Sequence, residues 1–281
     1  MKKRILICTI MRNQGANIDT WRRQLEELIL FCPEYEFTIS VYENDSTDGT
    51  KAALDVIVKN APFFAFGDRF HVVCENIGTK QYGSIWNVDR LRNLATARQK
   101  CIDQVGHLNF DKIAFIEPDV EYDPKWCKEL ILARHPAQAQ LTPHIYSGWS
   151  LRSSKHPKES HFLYDTTATR QTHKDVCWNF ENESSWRGKS LIPTAFSDID
   201  SNCLHFVWST FNCFCVYDVE PFKKGLEWDY QNYRLNTGQE LIKDGDIDTW
   251  LDADTSIMCE DFRAMGFNNI FLNTNCLVRH R

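Results

Sequence analysis

Residues 38–59, TISVYENDSTDGTKAALDVIVK, contain a strand pattern, a polar loop and a helix pattern in immediate succession. The first five residues are mostly β-branched or aromatic, which is typical of a strand, and apolar residues recur at helical spacing from Lys51 onward. Between them, the loop ENDSTDG places three acidic residues within six positions. The segment raises two questions: which fold repeats this unit, and whether the loop only caps a helix or also binds a ligand.

Helix capping explains part of this loop. Residues 46–48 (STD) are of the types that cap helices, and the predicted helix starts near Thr50. Glu43 and Asn44 come before this group, at the carboxyl end of the predicted strand. Capping does not account for these two residues, so we predict that they form the floor of a binding pocket.

Strand and helix patterns alternate through the first half of the chain. The predicted strands share short, largely apolar sequence and cover residues 4–10, 38–42, 70–74 and 112–116. The predicted helices share a 3.6-residue apolar period and cover residues 17–31, 50–59 and 88–105. Alternation at this interval implies crossover connections on a mostly parallel sheet. We therefore predict an α/β fold, with a Rossmann-like central sheet flanked by helices.

The second half of the chain is less regular. Residues 144–200 are rich in Ser, His, Lys and Trp, and long irregular stretches of this kind are usually functional loops. Regular patterns return as a strand or hairpin at 205–222, a helix at 255–266 and a strand at 269–278. No linker-like boundary separates the halves, so we predict a single domain over residues 1–281.

Composition excludes several classes of protein. The formal net charge of −6 argues against a nucleic-acid partner or an anionic membrane surface. The eleven cysteines are odd in number, form no CxxC pair and lie mostly in apolar runs, which is typical of free buried thiols. The apolar run before Arg12 is too short to span a membrane and ends in no small-residue cleavage site. We expect a soluble, cytoplasmic protein without a membrane span.

Polar sequence follows three of the predicted strands: TIMRN, YENDSTDG and FIEPDVEYD. In open α/β sheets, ligands bind outside the carboxyl ends of the strands, so these segments should converge on one site. The third segment places Glu117, Asp119 and Glu121 within five residues. It is either a polar turn, with Pro118 ending the strand, or a site for a hard divalent cation such as Mg²⁺ or Mn²⁺.

The predicted helix at 88–105 begins with basic residues. Arg90 and Arg92 lie in or near its first turn, where a cation opposes the helix dipole. A bound anion would relieve this cost, and so would solvation or pairing with Asp89 or Asp103. Spacing alone leaves these alternatives equal.

Several motifs resemble one enzyme family. The loop ENDSTDGT is similar to the DDGSTDGT loop of GT-A glycosyltransferases, and EPD resembles their metal-binding DxD turn. Six blocks fall in the order and rough spacing of the fungal capsule-associated α-1,3-mannosyltransferase family: YENDSTDGTK, RLRNLA, FDKIAFIEPDV, FLYDTTATR, STFNCFCVYDVEPF and NIFLNTNCLV. The resemblance covers residues from about 38 to 279. Two departures are MCED, where the family has SECC, and FNC, where it has WNG.

The resemblance implies a GT-A fold and a metal-dependent glycosyltransferase. Residues 1–125 would form the nucleotide-sugar-binding half, and residues 126–281 the acceptor-side half. The residues implied to face the nucleotide sugar or the acceptor are Thr9, Arg12, Glu43, Asn44, Arg92, Glu117, Asp165, Arg170 and Asn212. Asp165 could equally cap a loop, and Asn212 could only hold a turn.

Metal and catalytic roles are also implied. Asp119 would hold Mn²⁺ or Mg²⁺ against the donor diphosphate, with His280 as a further ligand; a terminal His is otherwise often a solvated surface residue. The segment CED opens the helix-like stretch near the C-terminus. The resemblance makes Asp261 or Glu260 the general base that deprotonates the acceptor hydroxyl, a role that exists in inverting enzymes. The alternative is an acidic residue that favours the start of a helix. Retention of configuration is the alternative to inversion, since relatives that make α-mannosides from an α-linked donor retain it.

The expected reaction transfers a sugar from a nucleotide diphosphate donor to a hydroxyl of a glycan or glycoprotein. We favour a UDP-sugar as donor, with UDP-xylose as the specific expectation, and GDP-mannose is the alternative. Two other classes rank lower. A nucleotidyltransferase would want a Gly-rich basic loop after the first strand, whereas TIMRNQG has one Arg and one Gly. A non-catalytic carbohydrate-binding protein would not need Glu43, Asp119 and His280.

Overall fold

Strands from both halves of the chain join one sheet. The computed structural model describes residues 2–82, 88–106, 109–133, 142–152, 162–163, 168–169, 204–230 and 253–280. In chain order the strands are β1 (Lys3–Met11), β2 (Tyr35–Asn44), β3 (Phe70–Glu75), β4 (Lys112–Ile116), β5 (Val120–Tyr122), β6 (Ile145–Arg152), β7 (Phe162–Leu163), β8 (Leu204–Phe206), β9 (Phe214–Asp218) and β10 (Ile270–His280). Within the described residues these ten strands form a single sheet.

Helices connect the strands of the first half, as the sequence predicts. The helices are α1 (Ile18–Phe31), α2 (Thr50–Asn60), α3 (Val88–Asp103), α4 (Pro124–Leu132), α5 (Glu220–Lys223) and α6 (Asp254–Ala264). A single 3₁₀ turn, Ala61–Phe63, follows α2. The predicted alternation over β1 to β4 is confirmed. Eight strands follow the order β3-β2-β1-β4-β9-β6-β10-β5, while β7 pairs with β6 and β8 with β10.

Strand direction sets where the functional residues gather. Strands β1 to β4 run parallel to one another, so their carboxyl ends lie on one edge of the sheet. Strand β9 runs antiparallel between β4 and β6, and β10 is parallel to β6. The carboxyl end of β10 therefore reaches the same edge. For residues 205–222 the hairpin alternative is wrong, because β8 and β9 pair with different strands and not with each other.

Two apolar clusters cover the two faces of the sheet. One includes Trp21 and Leu25 of α1 with Leu54 of α2. The other packs Leu91 and Ile102 of α3 with Ile257 and Phe262 of α6. The nine cysteines of the described ranges are free, and eight are buried, which agrees with their predicted behaviour as small apolar residues. In this part of the chain no helix is long and apolar enough to cross a membrane.

Candidate active site

The loop after β2 is tied to the loop after β1. Gly49 occupies the N-cap position of α2, and Asp48, one residue before it, accepts a hydrogen bond from the backbone N–H of Thr50 at 2.9 Å. Ser46 and Thr47 do not cap α2. The Ser46 hydroxyl accepts from the Asn13 N–H at 2.9 Å, and the Thr47 N–H donates to Asn13 Oδ1 at 2.8 Å. Their hydrogen-bonding capacity joins two strand ends instead.

Glu43 lies beneath this loop. Its side chain is completely buried. Oε1 accepts from the Ser46 N–H at 2.8 Å, and Oε2 lies 3.6 Å from Lys51 Nζ. The carboxylate thus supports the loop from below, and direct contact between Glu43 and a nucleotide stays a prediction.

Asp45 connects the loop to the end of β3, a contact that the sequence analysis missed. It has a left-handed backbone, with φ of 56°. Its carboxylate accepts from the Thr79 hydroxyl at 2.5 Å and from the N–H groups of Gly78 and Thr79, both at 2.9 Å. These hydrogen bonds, the Thr79 hydroxyl first, hold the pKa of Asp45 well below its usual range. The available signal was polar sequence after the predicted third strand.

Arg12 and Asn44 contact the same segment. The Arg12 guanidinium donates to the Thr79 carbonyl at 2.7 Å and to its hydroxyl at 3.0 Å. The Asn44 amide donates to the Thr79 hydroxyl at 2.8 Å. Thr9 is fully buried, and its hydroxyl donates to the Ile116 carbonyl at 2.9 Å, which links β1 to β4. The structure therefore brings Arg12 and Asn44 together and places Thr9 below them.

The acidic turn and the C-terminal histidine meet at the sheet edge. Strand β5 pairs with β10, so that Val120 lies opposite His280. Asp119 Oδ2 then lies 3.1 Å from His280 Nε2. Carboxylate oxygen is the preferred ligand of Mg²⁺ and Mn²⁺, and Mn²⁺ also accepts imidazole nitrogen. The described residues contain no cluster of three or more metal-ligating side chains, so this pair would leave further positions to phosphate and water.

Glu117 faces a buried arginine that the sequence analysis missed. Arg98 Nη2 donates to Glu117 Oε1 at 3.3 Å, and Nη1 donates to Asp254, the first residue of α6. Arg98 occupies the apolar stripe of α3 that includes Leu91 and Ile102. A charged residue in an apolar helix stripe is the sequence signal that could have identified it.

Arg92 remains at the surface of α3. Its guanidinium lies 3.4 Å from Asp89 Oδ1, and both side chains are about half exposed. Pairing with Asp89 was one of the alternatives from the sequence. Such an exposed pair is weak and leaves Arg92 able to exchange its partner for an anionic ligand.

The predicted general bases lie inside α6, not at its start. The helix begins at Asp254, so CED does not open it. Glu260 accepts a hydrogen bond from Trp208 Nε1. Burial, followed by the negative charges of Glu260 and Asp229, raises the pKa of Asp261 to about 6. Asp261 is seven residues beyond Asp254, about 10 Å along the helix axis.

Asn212 lies in a buried hydroxyl network. Its Oδ1 accepts from the Ser150 hydroxyl at 3.0 Å, and its amide donates to the hydroxyls of Thr210 and Thr169 at 2.8 and 3.1 Å. Asn212 has a φ of 51°, as turn residues often have. This conformation and these contacts agree with the alternative in which Asn212 holds a turn. Asp165 and Arg170 lie outside the described residues.

The next residue, Cys213, has a φ of 60°. The resembled family has glycine here, and glycine favours this backbone conformation. The Cys213 carbonyl accepts from the Glu117 N–H at 2.9 Å, which connects this strained turn to the acidic turn.

Comparisons with known proteins agree with this architecture. A family model described as "Cryptococcal mannosyltransferase 1" matches residues 4–243. The structure of S. aureus TarS 1–349 has a TM-score of 0.50 at 10% identity, covering 100% of this chain and 60% of that one. The structure of mannosyltransferase PcManGT from Pyrobaculum calidifontis, in complex with GDP-Man and Mn²⁺, has a TM-score of 0.51 at 10% identity, covering 99% of this chain and 57% of that one.

These structural likenesses identify the fold as GT-A, as predicted. The present chain spans less than two thirds of the length of either TarS 1–349 or PcManGT. No curated protein sequence is significantly similar to it.

Proposed function

The chain belongs to the family described as Cryptococcal mannosyltransferase 1, and on this premise we propose that it transfers a sugar from a nucleotide diphosphate donor to a hydroxyl of a glycan or glycoprotein. The observation that carries the proposal is the 3.1 Å contact between Asp119 and His280 at the sheet edge where β1, β2 and β4 also end. The two halves, residues 1–125 and 126–281, would bind donor and acceptor within one domain.

Asp119 and His280 would hold the divalent cation. Bound there, Mn²⁺ or Mg²⁺ would stabilise the negative charge of the leaving diphosphate by several kcal/mol. The two proposed ligand atoms, Asp119 Oδ2 and His280 Nε2, already lie 3.1 Å apart before the donor binds. Preorganised ligands of this kind need no rearrangement during the reaction.

The joined ends of β1, β2 and β3 would bind the nucleotide. Arg12 and Asn44 hold the segment around Thr79 close to the loop after β2. Thr9 and Glu43 would act from below as supports, because both are fully buried. Arg92 would exchange its exposed contact with Asp89 for the diphosphate, which places a cation beside the developing charge.

Asp261 remains the sequence-based candidate for the general base, with Glu260 as the alternative. A pKa of about 6 supports proton acceptance near neutral pH, whereas Asp261 lies about 10 Å along the helix axis from Asp254, the α6 residue that is linked to Glu117 through Arg98. The variant Asp261→Asn separates these possibilities. Loss of the base would lower kcat about 10²–10⁴-fold, and a buried acid without a catalytic role would leave kcat unchanged.

The donor is the finer part of the proposal. The family description supports mannose, and hence GDP-mannose, whereas the sequence analysis favoured a UDP-sugar such as UDP-xylose. Release of nucleotide from both donors should be measured in Mn²⁺ and in EDTA, together with pyrophosphate release from nucleoside triphosphates. We expect Mn²⁺-dependent nucleotide release from one donor, and none from Asp119→Ala. Pyrophosphate release alone would indicate a nucleotidyltransferase.

A further inference from the structure

The proposed reaction assigns no role to Arg98 or Asp254, which form an ion cluster with Glu117. Arg98 is only 3% exposed, and its guanidinium donates to both carboxylates. A buried ion cluster contributes little net stability, because desolvation offsets the attraction between the charges. Because Glu117 directly precedes Pro118 and Asp119, the cluster is better explained by a role in holding the acidic turn in place than by a contribution to stability.

We propose that Arg98 is a positioning residue: it fixes the carboxylate of Glu117, and through it the turn that contains Asp119, against the first residue of α6. The inference rests on the proposed function, because this turn is the one that would hold the cation and the donor diphosphate. It adds a function for a residue of α3 that is not among the proposed ligands of either.

The surroundings of Arg98 fix the plane of its guanidinium. The Cζ atom lies 4.8 Å from the ring centroid of Phe211 and 5.5 Å from that of Trp228. Trp228 also donates from Nε1 to Asp254 Oδ2 at 3.2 Å. The planar guanidinium, in contact with both rings, directs its two terminal nitrogens to two different carboxylates. Lysine, with a single ammonium group, would not hold both in this geometry.

The constraint on Glu117 passes to Asp119 through a short, stiff connection. The Glu117 N–H is bound to the Cys213 carbonyl at 2.9 Å, so both its backbone and its side chain are held. Pro118 follows, and its ring fixes one of the two backbone torsions before Asp119. The position of Glu117 thus determines the position of the Asp119 carboxylate, which lies 3.1 Å from His280.

The charges of the cluster lead to the same expectation that Arg98 holds Glu117 in place. Without the Arg98 guanidinium, Glu117 and Asp254 would be two anions with no cation between them. Glu117 is the partner that can move, because its side chain is 25% exposed while that of Asp254 is 4% exposed. Movement of Glu117 toward solvent would displace the turn and separate Asp119 from His280.

The test uses Arg98→Lys and a matched control, Arg22→Lys. Arg22 also pairs with a carboxylate, that of Glu26, and lies 4.7 Å from the ring of Phe64, but on α1. Binding of Mn²⁺ in the presence of UDP or GDP would be followed by the electron paramagnetic resonance signal of the free ion, with circular dichroism as the measure of folding. We expect Arg98→Lys to lower Mn²⁺ affinity about 10–100-fold, as outer-shell changes do, and Arg22→Lys to leave it unchanged.

A double-mutant cycle with Glu117→Gln tests whether the effect passes through Glu117. The Arg98→Lys loss should shrink markedly in the Glu117→Gln background. A folded Arg98→Lys with wild-type Mn²⁺ affinity would overturn the inference alone. If Arg98→Lys does not fold, Glu117→Gln by itself must show the affinity loss, and wild-type affinity there overturns the inference as well. Absence of Mn²⁺ binding by the wild-type protein would overturn the proposed function, and this inference with it.

Discussion

Asp45 and Asp261 are acids in the two proposed halves of the chain, the donor side (residues 1–125) and the acceptor side (residues 126–281), and their surroundings differ in kind. Asp45 receives hydrogen bonds from Thr79 and Gly78, which hold its pKa well below the usual range. Asp261 is partly buried beside two other acids, and its pKa rises to about 6. The surroundings of Asp45 therefore stabilise a negative charge, whereas those of Asp261 disfavour one. This contrast suits an anionic diphosphate on one side and a neutral hydroxyl on the other.

The largest expected effect comes from breaking the ion cluster at the boundary of the two sides. Arg98→Met should lower the free energy of unfolding by about 3–5 kcal/mol, because two carboxylates lose the buried cation that they share. Urea unfolding measures this change. Arg22→Met is the control, since its part-buried i,i+4 pair within one helix should contribute about 1 kcal/mol or less. Equal losses in the two variants would contradict the account of the cluster.

Asp261→Asn tests the acceptor side through the pH dependence of stability. The folded pKa of about 6 lies above the ordinary value of 3.8, so the folded state binds more protons between these values. Stability contributed by this group is present below about pH 4 and is lost as pH rises through 6. Asp261→Asn should therefore be more stable than wild type above pH 6, by about 1 kcal/mol after allowance for solvent screening.

Thermal unfolding at pH 5 and pH 8 measures this difference. Glu260→Gln is the control, because it removes the neighbouring charge while leaving Asp261 in place. A wild-type advantage over Asp261→Asn at pH 8 would contradict the assigned environment.

Replacement of Cys213 tests the strained turn between the two sides. Cys213→Gly and Cys213→Ala both delete the thiol, but only glycine adopts a φ of 60° without a steric penalty. The glycine variant should be more stable than the alanine variant by about 1 kcal/mol, the cost of a left-handed conformation. Chemical denaturation of the pair measures this difference. The opposite order would show that the turn is not strained.

Asp45→Asn tests the donor side, with the smallest expected effect. The folded pKa of Asp45 is depressed, so its stabilising contribution is present above its ordinary value of 3.8 and is lost as pH falls below it. Wild type should lose more thermal stability than Asp45→Asn between pH 5 and pH 3. Identical losses would mean that the hydrogen bonds from Thr79 and Gly78 do not form in solution.

Sequence predicted the donor side better than the acceptor side for a physical reason. The crossover elements follow from apolar period, and the hydrogen bond from Thr50 to Asp48 joins residues only two positions apart. Asp119 and His280 were paired through the family resemblance, since no local pattern joins residues so far apart. The turn of Ser46 and Thr47 toward Asn13 was missed because local propensity does not reveal competing partners on a neighbouring strand end.

On the acceptor side, the decisive contacts join distant parts of the chain. Arg98 and Asp254 are 156 residues apart, and Asn212 and Ser150 are 62 apart. Each looks ordinary in its own segment: a basic residue on a helix, an acid near a helix, an amide in a turn. Their chemistry exists only after the sheet has brought the segments together, so the predicted bases were assigned to the sequence motif CED rather than to a position in the fold.

The central claim is that Asp119 and His280 hold a divalent cation that binds the donor diphosphate. Isothermal titration of GDP and UDP into wild type and Asp119→Ala, each with Mn²⁺ or with EDTA, tests it most directly. We predict that wild type binds one nucleotide in Mn²⁺, and that EDTA or Asp119→Ala weakens this binding by more than about 100-fold, beyond the range of outer-shell changes. Nucleotide binding of equal affinity in all four conditions would contradict the claim.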